Sequence, residues 1–305
     1  MDGTAYKIAY HLRRFAAEDA GTPAEVREPL ARAVSAILKA APQLEDPDSA
    51  ASASCFSGLA TIFDIDSIIG FSGAWERWEN AEGFARGEAT PTALDQELFK
   101  GRHPGAARYF GGISELARRS TPKVVSWAER IGFRAPRLLD VGAGAGDYAR
   151  AFVKAGVADE VVCLDFPFVV ESIAKREAPG TTWLSRDLTA LRCPEGFEPV
   201  DAMWISNVLH HYSMADCVDL VRGLRPFGRE RARILVHEYL VDTGPPQGLA
   251  ASILGLHFAL TTGGGRCFTC SELDDVFARS GYGPRLRQPV TAISSVTLYE
   301  RAERD

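Results

Sequence analysis

The chain of 305 residues contains no long apolar run. Its longest, Ala250 to Leu260, is interrupted by Ser252 and His257, and a membrane span needs about 18 or more apolar residues in succession. A basic surplus is missing as well. Lys and Arg number 34 against 40 Asp and Glu, a net charge of −6, and neither residues 1–120 nor residues 121–305 are basic. That argues against a dedicated nucleic-acid binder. The first 25 residues hold Arg13, Arg14, Glu18 and Asp19 in place of an apolar core, so no secretory signal is expected. Cysteine is sparse and scattered, at positions 55, 163, 193, 217, 267 and 270. This pattern suits free thiols in a reducing cytoplasm better than a disulfide framework. Cys267-Phe-Thr-Cys270 has no second pair at zinc spacing, and no metal site is expected. There is no internal repeat and no low-complexity tract. Hydrophobic residues at 46% and charged residues at 24% exclude a disordered or collagen-like chain.

What is present changes character near residue 120. Before it, apolar residues recur at helical spacing, as in Val26, Leu30, Val34, Ile37 and Leu38. Gly21-Thr22-Pro23, the stretch from Glu45 to Ser54, and Thr90-Pro91 separate the helical pieces. Phe71, Trp75, Trp78 and Phe84 suit either a pocket wall or a helical core. After Pro136, short apolar runs alternate with helical patterns: Leu138-Leu139, Val161 to Leu164, Ala202 to Ile205 and Ile234 to Val236, with a helix over Ala215 to Leu224. Such a grammar predicts an α/β fold with a mostly parallel sheet covered on both faces. Arg285 to Gln288 and Val296 to Tyr299 lie too close for a helix between them and predict an antiparallel edge hairpin. Two parts are expected: a helical front over residues 1–120, read as a substrate or lid part with dimerisation as an option, and an α/β ligand-binding, catalytic part over residues 121–305.

The most informative segment is Leu138-Leu139-Asp140-Val141-Gly142-Ala143-Gly144-Ala145-Gly146-Asp147. A strand runs into three glycines, and a helix follows. The dinucleotide fingerprint wants a small residue where Asp147 stands, and the phosphate loop wants Lys then Ser or Thr. An acid in the turn suits a ligand with a positive end. Asp140 has a plainer reading too, as a cap on the helix that follows.

Asp140-x-Gly142-x-Gly144-x-Gly146 resembles motif I of class I S-adenosylmethionine-dependent methyltransferases, and residues 121–305 are similar to their small-molecule O-methyltransferases. The resemblance implies a Rossmann-like seven-stranded sheet and S-adenosylmethionine as cofactor. By it, Asp165 in Leu164-Asp165-Phe166 holds the ribose hydroxyls, and Asp187 in Arg186-Asp187-Leu188 meets the adenine amino group. Phe166 and Leu188 cover the adenine faces, and Ser206 joins Asp140 and the three glycines in the cofactor set. In Leu209-His210-His211, His210 falls on the catalytic histidine, and Glu238 of His237-Glu238 on its supporting acid. The stretches Gly265-Arg266, Phe268-Thr269 and Glu272-Leu273 are also family-like. Two departures stand out. His211 occupies a position where the family usually has Asp, and a second acid near Gly265 is missing.

The expected activity is methyl transfer from S-adenosylmethionine to a small hydroxylated acceptor, with no nucleic-acid or membrane partner and a homodimer as one option. Two alternatives stay open. One uses the cofactor without methylation, cyclising its aminobutyrate arm and releasing methylthioadenosine. The other is a non-catalytic, cofactor-binding subunit.

Overall fold

The computed structural model describes residues 93–174, 178–243, 247–291 and 293–302, with Ala74, Arg77, Trp78, Asn80, Ala81 and Gly83 ahead of them. The helical face from Val26 to Leu38, Cys55, and the aromatic residues Phe71, Trp75 and Phe84 lie outside the described residues.

The apolar runs of the second half become the inner strands of one sheet. Its strands are β1 (Ala135–Val141), β2 (Ala158–Asp165), β3 (Thr181–Ser185), β4 (Val200–Ser206), β5 (Gly228–Glu238), β6 (Tyr282–Pro289) and β7 (Ser295–Arg301). Their order across the sheet is β3-β2-β1-β4-β5-β7-β6. The pairs among β1 to β5 are parallel, with Leu139 opposite Val162 on one side and Met203 on the other. β7 inserts antiparallel between β5 and β6, so that Leu298 faces Leu235 on one side and Leu286 on the other. The expected hairpin is therefore present, and its second strand is the one that meets the parallel block.

Helices α2 (Ala106–Arg130), α3 (Asp147–Lys154) and α4 (Met214–Leu224) also belong to this part of the chain. Apolar side chains from strands and helices meet in one core, in which Trp204 of β4 lies edge-on to Phe152 of α3 at 5.3 Å. Aromatic pairs in that geometry contribute beyond the area they bury.

The chain divides into two compact units. The first, containing the whole sheet, comprises Glu97–Leu209, Met214–Glu238 and Ser271–Asp305. The second holds His210–Ser213, Tyr239–Cys270 and the described residues up to Gln96. It includes α5 (Gln247–Thr261), the helix formed by the longest apolar run. Its residues from Ala250 to Thr261 are all buried, as befits a helix that is apolar all round. No helix among the described residues is long and apolar enough to cross a membrane.

Candidate active site

In the sheet unit, β1 has β2 on one side and β4 on the other, so the chain direction of the crossovers reverses there. Open α/β sheets bind ligands at the carboxyl ends of strands beside such a point. The residues gathered there are Asp140 and the glycine turn after β1, Asp165 at the end of β2, and Ser206 and Asn207 at the end of β4.

The turn depends on its glycines. Gly142, Gly144 and Gly146 all have positive φ, at 71°, 57° and 76°, a region that costs an L-residue about 1–2 kcal/mol. At Gly142 a side chain would also run into Val208, whose Cγ2 would lie 2.5 Å from the added carbon. The N–H of Gly144 donates to Asp165 Oδ2 at 2.7 Å, and that of Phe166 donates to Asp165 Oδ1 at 2.7 Å. Asp165 thus ties the turn to the end of β2. Burial pushes its carboxyl up to about 6, against the pull of these two amides.

Asp140 is buried, and its Oδ2 has no hydrogen-bond partner. Burial, reinforced by the nearby Asp165, pushes its carboxyl up to about 8, while the backbone N–H of Ala149 in α3 opposes the shift. The helix-capping reading thus accounts for the contact with Ala149 and leaves the buried Oδ2 without a donor. A buried acceptor oxygen left without a donor is rare in folded proteins and needs an explanation. A ligand ammonium is a chemically matched donor. Asn207 supplies a second such oxygen: its Oδ1 is buried and unpartnered, and its φ of 56° is the one positive value among the described non-glycine residues. Strain of that kind concentrates at functional sites. Nothing in the sequence reading singled out Asn207, although asparagine directly after an apolar strand was the available signal.

Asp147 behaves differently from the expectation that it faces a ligand. It opens α3, where it accepts from Ser114 Oγ at 2.5 Å and pairs with Arg150 at 2.5 Å. Its charge is therefore met within the protein. Asp187 accepts from the backbone N–H and the hydroxyl of Thr189, at 2.9 and 2.6 Å, and so shapes the turn after β3. Leu188 follows it and is buried. Phe166 is buried and stacks on Phe99 at 5.6 Å, within a cluster that includes Tyr109, Phe110 and Phe168. These four aromatic residues were not among those read as a pocket wall.

Ser206 belongs to a polar chain inside the sheet unit. Its Oγ lies 3.0 Å from His237 Nδ1, while His237 Nε2 lies 2.7 Å from Ser294 Oγ. Burial pushes His237 down to about 4, so it is neutral at pH 7. Glu238, the last residue of β5, accepts at Oε1 from the backbone N–H groups of Val208 and Leu209, at 3.1 and 3.0 Å. It therefore fixes the backbone immediately ahead of His210.

His210 itself opens the second unit's share of a 3-10 turn, Leu209–His211. Its ring is buried and stacks on Phe258 of α5 at 4.0 Å and 15°. Gly265 approaches the turn so closely that a side chain there would lie 2.4 Å from the His210 carbonyl oxygen. The next residue, Arg266, donates its backbone N–H to that carbonyl at 2.9 Å. His211 has its ring 4.4 Å from that of His210, and its Nδ1 is 3.7 Å from Asp95 Oδ2. His257 of α5 receives a 3.4 Å hydrogen bond from Trp78 Nε1. Of the aromatic residues marked in the front of the sequence, Trp78 is the one described, and it is buried. Asp95 was not marked in the sequence, and His257 was marked there only as an interruption of the apolar run, although a histidine in that position is itself a signal. Cys267 and Cys270 are free thiols.

Comparison with known proteins identifies the family. The model of the O-methyltransferase domain matches residues 104–283. Acetylserotonin O-methyltransferase of Mus musculus is 28% identical over 191 residues, which cover 59% of this chain and 48% of that protein. The chain thus spans about half the length of the curated relatives it matches. Among solved structures, human N-acetylserotonin methyltransferase in complex with S-adenosylmethionine superposes with a TM-score of 0.62 at 20% identity, covering 78% of this chain and 70% of that one. An O-methyltransferase family 2 protein from Planctomyces limnophilus, in complex with apigenin, gives 0.60 at 17% identity over 98% and 93% of the two chains. The structural likenesses establish the fold, and the match over residues 104–283 establishes descent: the chain belongs to the O-methyltransferase domain family.

Proposed function

We propose that the protein transfers a methyl group from S-adenosylmethionine to a hydroxyl of a small molecule. The observation that carries this reading is the buried, unpartnered Oδ2 of Asp140 beside a glycine turn, in a chain of this family. The cofactor, when bound, supplies a methyl group made electrophilic by a sulfonium. Asp140 accepts from its ammonium, and Gly142, Gly144 and Gly146 let its amino-acid end approach the backbone. Asp165 has further lone pairs for a ribose diol. Phe166 and Leu188 cover the adenine, Asp187 accepts from its amino group, and Ser206 completes the set. Residues 121–305 are then assigned as the cofactor-binding part, and residues 1–120 as a substrate or lid part. N-Acetylserotonin and apigenin, taken from the names of the relatives, are the first acceptors to try.

His210 is assigned as the base that takes the acceptor's hydroxyl proton at an imidazole nitrogen. A phenol near pKa 10 does not give its proton fully to an ordinary histidine near 6.5 before reaction. Transfer must accompany bond formation, which demands a fixed ring. Stacking on Phe258 provides that restraint. Glu238 acts one step back, by holding the amides of Val208 and Leu209. Asp140 also bears on the choice between methylation and cyclisation of the aminobutyrate arm. Paired with a carboxylate, the cofactor's amine stays protonated and cannot serve as the nucleophile that cyclisation needs.

The test is calorimetric. With the carboxyl raised to about 8 in the free protein, Asp140 carries its proton at pH 7. Binding of an ammonium ionises it. Because the free protein holds more protons than the complex, affinity rises with pH toward about 8, and it falls above that as the ligand's own ammonium, ordinarily near 8, loses its proton. Titrations with S-adenosylmethionine at pH 7, in two buffers of different ionisation enthalpy, should show release of about one proton. Asp140→Asn should abolish that release. Binding without proton release in the wild-type protein would remove Asp140 from the ammonium site.

A further inference from the structure

A base that becomes an imidazolium inside a protein needs a counter-charge, because an isolated buried cation is strongly disfavoured. Several described groups of its own unit lie around His210. His211 shares its turn, His257 lies on α5, Tyr239 has its ring 5.7 Å away, and Arg266 bonds its carbonyl. Glu238 precedes Tyr239 in the chain and has Oε1 on the amides of Val208 and Leu209. Both other histidines resist charging. Burial, with His210 and His257 nearby, holds His211 well below the usual range, and burial with His210 nearby pushes His257 down to about 3.

Two acids are described in this unit, Asp95 and Asp242. Asp242 is exposed and accepts from the backbone N–H of Cys270. Asp95, in the helix α1 (Leu94–Phe99), is 5% exposed, and its Oδ1 has no hydrogen-bond partner. Its Oδ2 lies 3.7 Å from His211 Nδ1, and the His211 ring is 4.4 Å from that of His210. A buried carboxylate is costly unless it meets positive charge. The ring beyond His211 is where the proposed reaction would place that charge.

We propose that Asp95 is the positioning acid of the site: through His211 it supplies the negative charge that orients the His210 imidazole and stabilises its imidazolium form. This rests on the assignment of His210 as base. It also accounts for His211 standing where an acid was expected, since the carboxylate then sits one residue further out and arrives from a distant part of the sequence.

The test needs no methyl acceptor. The full chain is prepared with isotope-labelled histidine rings. Its six histidines are assigned by single substitution and titrated by NMR with S-adenosylhomocysteine present. In Asp95→Asn the titration midpoint of His210 should fall by about one pH unit, a tenfold loss of proton affinity. Asp95→Glu should return it to within a few tenths of the wild-type value. The His237 signal, from the sheet unit, should not move in either variant, which separates a local charge effect from misfolding. If Asp95→Asn does not fold, Asp95→Ser removes the same charge and leaves room for water. A His210 midpoint unaffected by loss of the charge would overturn the proposal, and so would failure of Asp95→Glu to restore it. Failure of the base assignment itself shows up separately, as turnover retained in His210→Gln.

Discussion

Replacing His210 by Gln is expected to lower methyl-transfer turnover by roughly 10²–10⁴, the usual contribution of a positioned general base. Glutamine retains much of the ring's volume and keeps hydrogen-bonding capacity, so the 3-10 turn and its contacts with α5 should survive. The affinity for S-adenosylmethionine should change little, because His210 is not among the residues assigned to the cofactor. The measurement is kcat with an accepted phenol, alongside cofactor affinity by calorimetry. A variant that keeps half of the wild-type rate would show that His210 packs against Phe258 without moving a proton.

The second large effect is expected at Asp165. Asp165→Ala removes an acceptor for the ribose diol and also frees the N–H groups of Gly144 and Phe166 that the carboxylate now holds. Losing hydrogen bonds of this charge-assisted kind costs about 1–3 kcal/mol each way they are read, as binding or as order in the turn. Cofactor affinity should fall by about 5- to 150-fold, while the sheet, whose pairing does not involve that side chain, keeps its circular-dichroism spectrum. Unchanged affinity in the folded variant would take Asp165 out of the cofactor site. An intermediate outcome is informative through Asp165→Asn, which keeps one acceptor oxygen. It should bind better than the alanine variant if the ribose contact dominates.

The sequence displayed some parts of this molecule openly and concealed others, for physical reasons. β1, β2, β4 and β5 run through the middle of the sheet with both faces covered, so Leu138-Leu139, Val161 to Leu164, Ala202 to Ile205 and Ile234 to Val236 stand out as apolar runs. β3 is an edge strand, paired on one side with β2, and its Thr181-Thr182-Trp183-Leu184-Ser185 is only half buried. It carries no such run and was visible only through the resemblance of the residues after it. The glycine turn was legible because positive φ leaves a mark in residue type. Asp147 was misjudged because spacing places an acid near a ligand without saying what else reaches it, and Ser114 and Arg150 do. Asn207 hid because its significance lies in a dihedral angle and an unpartnered oxygen. Asp95, His211 and His257 come from three separate stretches of chain, and periodicity contains no information about such meetings. His210 and Glu238 were found by motif, yet the motif did not show that Glu238 holds two backbone amides.

The most direct test of the central claim follows the cofactor's atoms. The purified protein is incubated with S-adenosylmethionine carrying an isotope-labelled methyl group, first alone and then with phenolic acceptors, N-acetylserotonin and apigenin among them. Every product is identified by mass spectrometry. The expected result is no methylthioadenosine above the spontaneous background when the cofactor is alone. With an accepted phenol, the label should appear on its oxygen together with an equal amount of S-adenosylhomocysteine. Rapid, enzyme-dependent formation of methylthioadenosine from S-adenosylmethionine alone would contradict methyl transfer as the protein's reaction.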